Sequence, residues 1–206
     1  MSRRLVLATR NPGKVTELRD LLTGYEVVGL AEFPDAPEVP ETEPTFAGNA
    51  LLKARAIAAH TGLAAVSDDS GLCVDALNGM PGVLSARWSG RFGAAHPAGR
   101  DAANLELVLD QLADVAGPER GAHFVCAAAI AHPDGREHVV EGRMDGRIIT
   151  APRGTGGFGY DPIFEVAGSG RTTAELAPRE KSEISHRGRA FRALAAYLTT
   201  LTDPLV

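Results

Sequence analysis

The sequence predicts an α/β protein. Its first 70 residues alternate short apolar runs with amphipathic helical segments, a β-hairpin follows a turn-rich middle, and a periodic helix closes the chain. With 206 residues, 44% apolar and 23% charged, the chain is long enough for one large domain or two small lobes around a continuous core; disorder, collagen and fibrous repeats are excluded. No internal repeat and no linker divides it, so residues 1–206 are expected to form a single domain.

Leu5–Ala8 is a buried strand by its apolar run, and Val15, Leu18, Leu21 and Leu22 then recur at helical spacing, with Asn11 as N-cap and Pro12 in the first turn. A second strand is expected at Tyr25–Gly29. Four prolines and five acidic residues between Glu32 and Pro44 make an extended loop. Phe46 to His60 forms a long helix, capped by Thr45 and stopped by Gly62. Leu63–Ser67 is expected as a strand running into Asp68-Asp69-Ser70-Gly71, and Leu72–Ala76 as another short strand. Asn78 to Gly99, dense in glycine and proline, is expected as a surface loop or flap. A helix over Asp101–Leu112 precedes a hairpin of His123–Ala131 and Glu137–Arg143 about the turn Pro133-Asp134-Gly135. Thr150–Gly170 is again glycine-rich, and a helix from Ser182, its N-cap, to Leu201 places Ile184, Phe191, Leu194 and Leu198 on one face.

The net charge of −5 and the absence of a basic run argue against polynucleotide binding, which needs a cationic surface. A polyanionic substrate would have to be met locally. The bases are 18 Arg and only three Lys, so Lys14, Lys53 and Lys181 stand out as places where a compact ammonium is wanted, unless codon bias left them there. Cys73 and Cys126 form no C-x-x-C pair and are expected as buried thiols of a reducing compartment. The N-terminal apolar run is too short for a signal peptide and no stretch approaches a membrane span, which points to a cytoplasmic protein.

Five constellations are candidates to carry chemistry. Thr9-Arg10-Asn11-Pro12-Gly13-Lys14 lies between a strand and a helix, where backbone N–H groups and the helix dipole favour an anion, although a plain capped helix start with a solvated lysine would use the same residues; Ala8 and Val15 stand where a Walker A loop needs glycine and Ser or Thr. In Ser67-Asp68-Asp69-Ser70-Gly71, side-chain alternation sends the adjacent carboxylates to opposite faces, so that one enters a site for Mg2+ or for activating water while the other supports a turn; spacing does not say which, and a plain Asx turn would use the same residues. Asn49 and Lys53 share a helix face, with Glu41 just upstream, as a solvated polar stripe on an amphipathic helix also would; Lys53 counts as one of only three lysines. Gly154 to Pro162 matches G-x-G-x-x-G, but Pro162 and a β-like segment follow, so it is not a dinucleotide fold; either it is a structural hairpin, or Phe158 and Tyr160 offer an aromatic face to a base with Asp161 fixing a hydrogen bond. Lys181, His186 and Arg187 gather donors at the start of the last helix, as ordinary surface charge also would.

Taken together, Thr-Arg-Asn-Pro-Gly-Lys at 9–14, Asn49-Ala50-x-x-Lys53-Ala54, Ser-Asp-Asp-Ser-Gly at 67–71, Pro-Gly-Val-Leu-Ser-Ala-Arg at 81–87, Gly-Thr-Gly-Gly-Phe-Gly-Tyr-Asp-Pro at 154–162 and Glu-Lys-Ser-Glu-Ile-Ser-His-Arg-Gly at 180–188 resemble the inosine triphosphate pyrophosphatase family in order and spacing over nearly the whole chain. That resemblance implies a long curved mixed sheet with flanking helices, two lobes around a central active-site cleft, a homodimer, Mg2+ dependence, and cleavage of ITP, dITP and XTP to the monophosphate and pyrophosphate. It further implies phosphate binding by Thr9, Arg10, Asn11, Pro12, Gly13 and Lys14. Asp69 would be the general base and a metal ligand, with Glu41 as the second metal carboxylate. Lys53 belongs to the phosphate end, and Ser70, Phe158, Gly159, Tyr160, Asp161, Lys181, His186 and Arg187 would hold substrate. The surroundings of Glu41 depart from the family, which often has an acidic pair followed by Thr-Gly; here Pro40 precedes Glu41 and Glu43-Pro44 follows Thr42. Two other readings are a related Maf-type pyrophosphatase, and a nucleotide-binding regulator without hydrolysis; the first is disfavoured by the glycine-aromatic and Ser-His-Arg blocks, the second by the presence of Asp69, Glu41 and all three lysines.

Overall fold

The computed structural model describes residues 3–22 and 24–200, so the expected end of the last helix at Leu201 lies outside the described residues. Among the described residues six strands and five α-helices follow one another as β1 (Arg3–Leu7), α1 (Pro12–Leu21), β2 (Tyr25–Gly29), α2 (Phe46–Thr61), β3 (Ala65–Val74), α3 (Arg100–Gln111), β4 (Gly121–Ala131), β5 (Glu137–Ile148), β6 (Phe164–Val166), α4 (Pro178–Ile184) and α5 (His186–Thr200). The sheet has the order β2-β1-β3-β4-β5-β6. It is mixed: β1 runs parallel to β2 and to β3, with Leu5 opposite Val27 and Leu7 opposite Val66, whereas β5 and β6 are antiparallel, with Ile148 opposite Phe164. This is the α/β class with flanking helices that the sequence predicts.

The chain forms two compact units. No linker separates them, because the first gathers residues 1–69, 126–142 and 187–206, and the second residues 70–125 and 143–186. In the first unit the pleat divides each strand between two cores. Leu5, Leu7, Val66 and Cys126 pack with Leu18 and Leu22 of the α1 segment and with Phe191 and Leu194 of α5. Val6, Ala65, Ala127 and Ala129, from the same strands, pack with Ala50, Ala54 and Ile57 of α2. Alanine on both sides of this second layer lets the α2 backbone come close to the sheet. The helix is well specified at its ends: Thr45 Oγ1 accepts the Gly48 N–H at 3.0 Å, and Gly62 closes it at φ +67°, where a side chain would be strained.

In the second unit Leu72, Val74, Phe124, Met144, Ile148, Ile163 and Phe164 pack with Leu105 and Val108 of α3. Arg120 is buried beside them, and its guanidinium donates to the carbonyls of Val115 at 3.1 Å and Ile149 at 3.2 Å, and to that of Leu112. A cation just beyond the C-terminal end of α3 meets the negative end of the helix dipole.

Three expectations are corrected. Residues 63–76 are not two strands about a turn: β3 runs unbroken from Ala65 to Val74. Its polar side chains need no turn because each finds a partner, Ser67 Oγ donating to the Ala50 carbonyl and Asp68 accepting from two cations. The Asn78–Gly99 segment, expected as a surface loop or flap, is not irregular. It folds into two 3-10 segments, Gly82–Arg87 and Gly90–Ala95, pinned by buried hydroxyls: Ser85 Oγ accepts the Leu72 N–H at 2.9 Å, and Ser89 Oγ donates to Asn104 Oδ1 at 2.7 Å. Finally, Ser182 lies inside α4 and does not cap the last helix; the break falls at Ser185, whose ψ of 152° ends α4 before α5 begins at His186. Among the described residues no helix is long and apolar enough to cross a membrane.

Candidate active site

The carboxylates of the first unit are placed by the pleat of β3. Asp69 projects toward α2 and Asp68 toward α1 and α5, so the opposite-face expectation holds, although both residues sit within a strand. Asp69 Oδ2 accepts from Asn49 Nδ2 at 3.1 Å, and the Lys53 ammonium stands 3.5 Å from Asp69 Oδ1 and 3.0 Å from Glu41 Oε1. Asn49 is fully buried and its other amide atom, Oδ1, accepts the Glu43 N–H at 2.9 Å. One side chain thus ties the proline-rich loop that carries Glu41 to the strand that carries Asp69. Sequence reasoning singled out Asn49 only as sharing a face with Lys53; its four-residue spacing from Lys53 was the available signal.

Burial pushes the Asp69 carboxyl above the ordinary value; Lys53 opposes the rise, and Glu41, within hydrogen-bonding reach, adds to it. Two carboxyl groups in contact share a proton or a cation. Glu41 and Asp69 are therefore a fitting pair of hard oxygen donors for Mg2+, which takes one or two protein carboxylates and completes its shell with water and phosphate oxygens. Among the described residues no group of three or more His, Cys, Asp or Glu side chains gathers as a metal site.

On the opposite face Asp68 is held by two cations. Lys14 Nζ donates to its oxygens at 2.9 and 3.0 Å, and Arg187 Nε donates to Oδ2 at 3.2 Å. Burial alone would raise this carboxyl, but Lys14 and Arg187 outweigh it and hold it below the ordinary carboxylate value. In the loop between β1 and α1, Thr9 Oγ1 accepts the Asn11 N–H at 3.2 Å, its carbonyl accepts the Leu30 N–H at 3.0 Å, and Arg10 reaches the Ala36 carbonyl at 3.4 Å. Pro12 and Gly13 are described by their backbone alone and open α1. A pocket of about 380 Å³ is lined by Ala8, Thr9, Arg10, Leu30, Pro37, Glu38, Val39, Lys53 and Ile57, which brings three of the residues expected at the phosphate end to one concavity.

The second unit holds the glycine-aromatic segment. Asp161, side chain 6% exposed, accepts from Lys181 Nζ at 2.5 Å and the Phe158 N–H at 2.8 Å through Oδ2, and from Thr173 Oγ1 at 2.8 Å through Oδ1. A Cβ on Gly157 would fall 2.0 Å from Asp161 Oδ2, and its φ is +73°, so glycine is required there on two counts. The Gly159 N–H donates to Asp101 Oδ2 at 3.1 Å. Phe158 presents its ring outward, with the Lys181 ammonium 5.2 Å from the ring centre. Tyr160 does the opposite, and its expected place on an aromatic face is corrected: the ring is buried in the core and its hydroxyl donates to the Ser85 carbonyl at 2.8 Å. His186 stacks on Phe124 with ring centres 4.9 Å apart, and Ser70 is half-buried on β3 next to Asp69.

Residues 5–197 match the model of the Ham1 family. Among curated relatives, a dITP/XTP pyrophosphatase of Streptomyces coelicolor is 58% identical over 202 residues covering 96% of this chain and 98% of the relative, and one of Mycobacteroides abscessus is 53% identical, covering 97% of each. Among solved structures, a HAM1 protein from Coxiella burnetii superposes with a TM-score of 0.88 at 40% identity over 96% of this chain and 99% of that one, and the Staphylococcus aureus Ham1 protein with 0.87 at 38% identity over 96% and 98%.

Proposed function

The chain belongs to the Ham1 family, and from that premise we propose that it hydrolyses the non-standard purine nucleoside triphosphates dITP, XTP and ITP to the monophosphate and pyrophosphate. The observation that carries this reading is the Glu41–Lys53–Asp69 constellation: two carboxylates and an ammonium, held by the buried amide of Asn49. Hydrolysis of a phosphoanhydride asks little covalent chemistry of a protein; it asks for positioned charge and an oriented water. Asp69, its carboxylate fixed by the Asn49 amide, is the group that takes the proton of the attacking water. Lys14 and Lys53, with the backbone N–H groups opening α1, bind phosphoryl oxygens. Mg2+ held by Glu41 and Asp69 would add positive charge to those oxygens.

At the purine, Phe158 supplies the exposed ring and Asp161 fixes both its backbone and Lys181. Lys181 and Arg187 can only donate, which suits the 6-keto group of hypoxanthine and xanthine and penalises the 6-amino group of adenine. Two buried thiols without a disulfide suit a reducing, cytoplasmic setting. The family resemblance supports a homodimer, which light scattering on the eluting peak tests.

The decisive experiment incubates the protein with Mg2+ and a panel of dITP, XTP, ITP, GTP and ATP and identifies the products. Pyrophosphate and monophosphate are expected, with dITP, XTP and ITP ahead of the rest. Orthophosphate as the product would overturn the chemistry; ATP turned over as well as ITP would overturn the selectivity.

A further inference from the structure

We infer that Asp68 is a positioning residue that yokes the phosphate lysine, Lys14, to the purine-reading arginine, Arg187, so that the two act as one element. The inference rests on the function proposed above. Three elements far apart in sequence converge on this carboxylate: Lys14 from α1, Asp68 from β3 and Arg187 from the first turn of α5. Lys14 Nζ lies 2.9 Å from Oδ1 and 3.0 Å from Oδ2, and Arg187 Nε lies 3.2 Å from Oδ2. Both oxygens are thereby occupied by cations, and the side chain is only 5% exposed.

That geometry separates Asp68 from its neighbour. A carboxylate whose oxygens are committed to an ammonium and a guanidinium is poorly placed to orient water. Its value lies in direction: the ammonium and the guanidinium both take their bearings from one fixed group. The Arg187 atom engaged is Nε, at the base of the guanidinium, so the bond to Asp68 constrains where the fork points. The triad carries two positive charges against one negative, and the excess positive charge suits a substrate that brings phosphates. A purely structural ion pair would also be buried and bonded, so the test must read coupling between the partners.

Asp68→Asn keeps the shape and removes the charge. It is expected to raise KM for dITP about tenfold while kcat changes by less than about threefold, the loss of one well-placed charge-assisted contact. In a Lys14→Met background the same substitution should cost less than about threefold further, because one of the two groups that it directs is already gone and the pair no longer acts as a unit. Calorimetry with inorganic pyrophosphate on the full chain reads the same coupling without turnover, so it still tests Asp68 if dITP proves not to be a substrate. Equal factors in both backgrounds, or a KM unchanged by Asp68→Asn, would overturn the inference. Should Asp68→Asn fail to fold, the Lys14→Met and Arg187→Met pair carries the test: yoked residues give a double variant that loses at least about threefold less pyrophosphate affinity than the product of the single losses, and simple multiplication overturns the yoke.

Discussion

Asp161 accepts three side-chain or main-chain donors, and its replacement can be worked through atom by atom. In Asp161→Asn the amide oxygen takes the place of Oδ2 and still receives the Phe158 N–H and the Lys181 ammonium, while the amide nitrogen faces Thr173 Oγ1, a hydroxyl that can accept. Geometry survives; charge does not. The Phe158 and Thr173 bonds become neutral ones and the Lys181 ion pair becomes an ammonium–amide bond, a loss of about 2 kcal/mol in all. Asp161→Ala leaves the Phe158 N–H and the Lys181 ammonium without an acceptor, while Thr173 keeps the Asp161 carbonyl at 3.1 Å. Two orphaned donors, one of them charged, cost about 4 kcal/mol. Urea unfolding followed by circular dichroism separates the two, and steady-state kinetics with dITP should show KM rising more than kcat falls, because the backbone under Phe158 has lost its anchor. An Asn variant within about 0.5 kcal/mol of the parent, or Asn and Ala variants of equal stability, would refute the assignment of Asp161 as an ionised hub.

Asp69→Asn should lower kcat for dITP by about 10²–10⁴-fold, the span of a lost general base, with folding intact by thermal melt. Asp68, held below its ordinary value in the fold, contributes stability that is complete above the unfolded carboxylate value near pH 4 and is lost as pH falls through its lower folded value; the urea midpoint of Asp68→Asn should therefore drop less than that of the parent between about pH 5 and about pH 2. Asp69, raised by burial, acts in the opposite sense in both proteins, so the difference between them isolates Asp68. Arg120→Met removes donors from three carbonyls and should destabilise the chain by about 3 kcal/mol in the same urea assay.

Much of this was legible in the sequence where local chemistry decides. The α2 helix lies where Thr45 and Gly62 punctuate it, one residue longer than expected, because a hydroxyl cap and a left-handed glycine act on their own neighbours. The three lysines fall in three of the five constellations, and each is paired with an aspartate: Lys14 with Asp68, Lys53 with Asp69 and Lys181 with Asp161. What was not legible depends on partners distant in sequence. The polar run at 67–71 resembles a turn until the cations that neutralise it arrive from α1, α2 and α5. Phe158 and Tyr160 look alike on paper; only the Ser85 carbonyl, 75 residues away in sequence, draws the second ring inward. No proline or glycine announces the break at Ser185, where helical periodicity continues on both sides.

The unbroken strand β3 makes the arrangement behave like a reading frame. Asp68 and Asp69 are the same chemical group, and only odd or even position along the pleat gives one to Lys14 and Arg187 and the other to Asn49 and Lys53. Inserting or deleting a single residue within β3 ahead of Asp68 would invert that parity and present each lysine with the wrong neighbour, while leaving the composition of the segment almost unchanged. A loop could absorb such an insertion. A strand paired with β1 on one side and β4 on the other cannot.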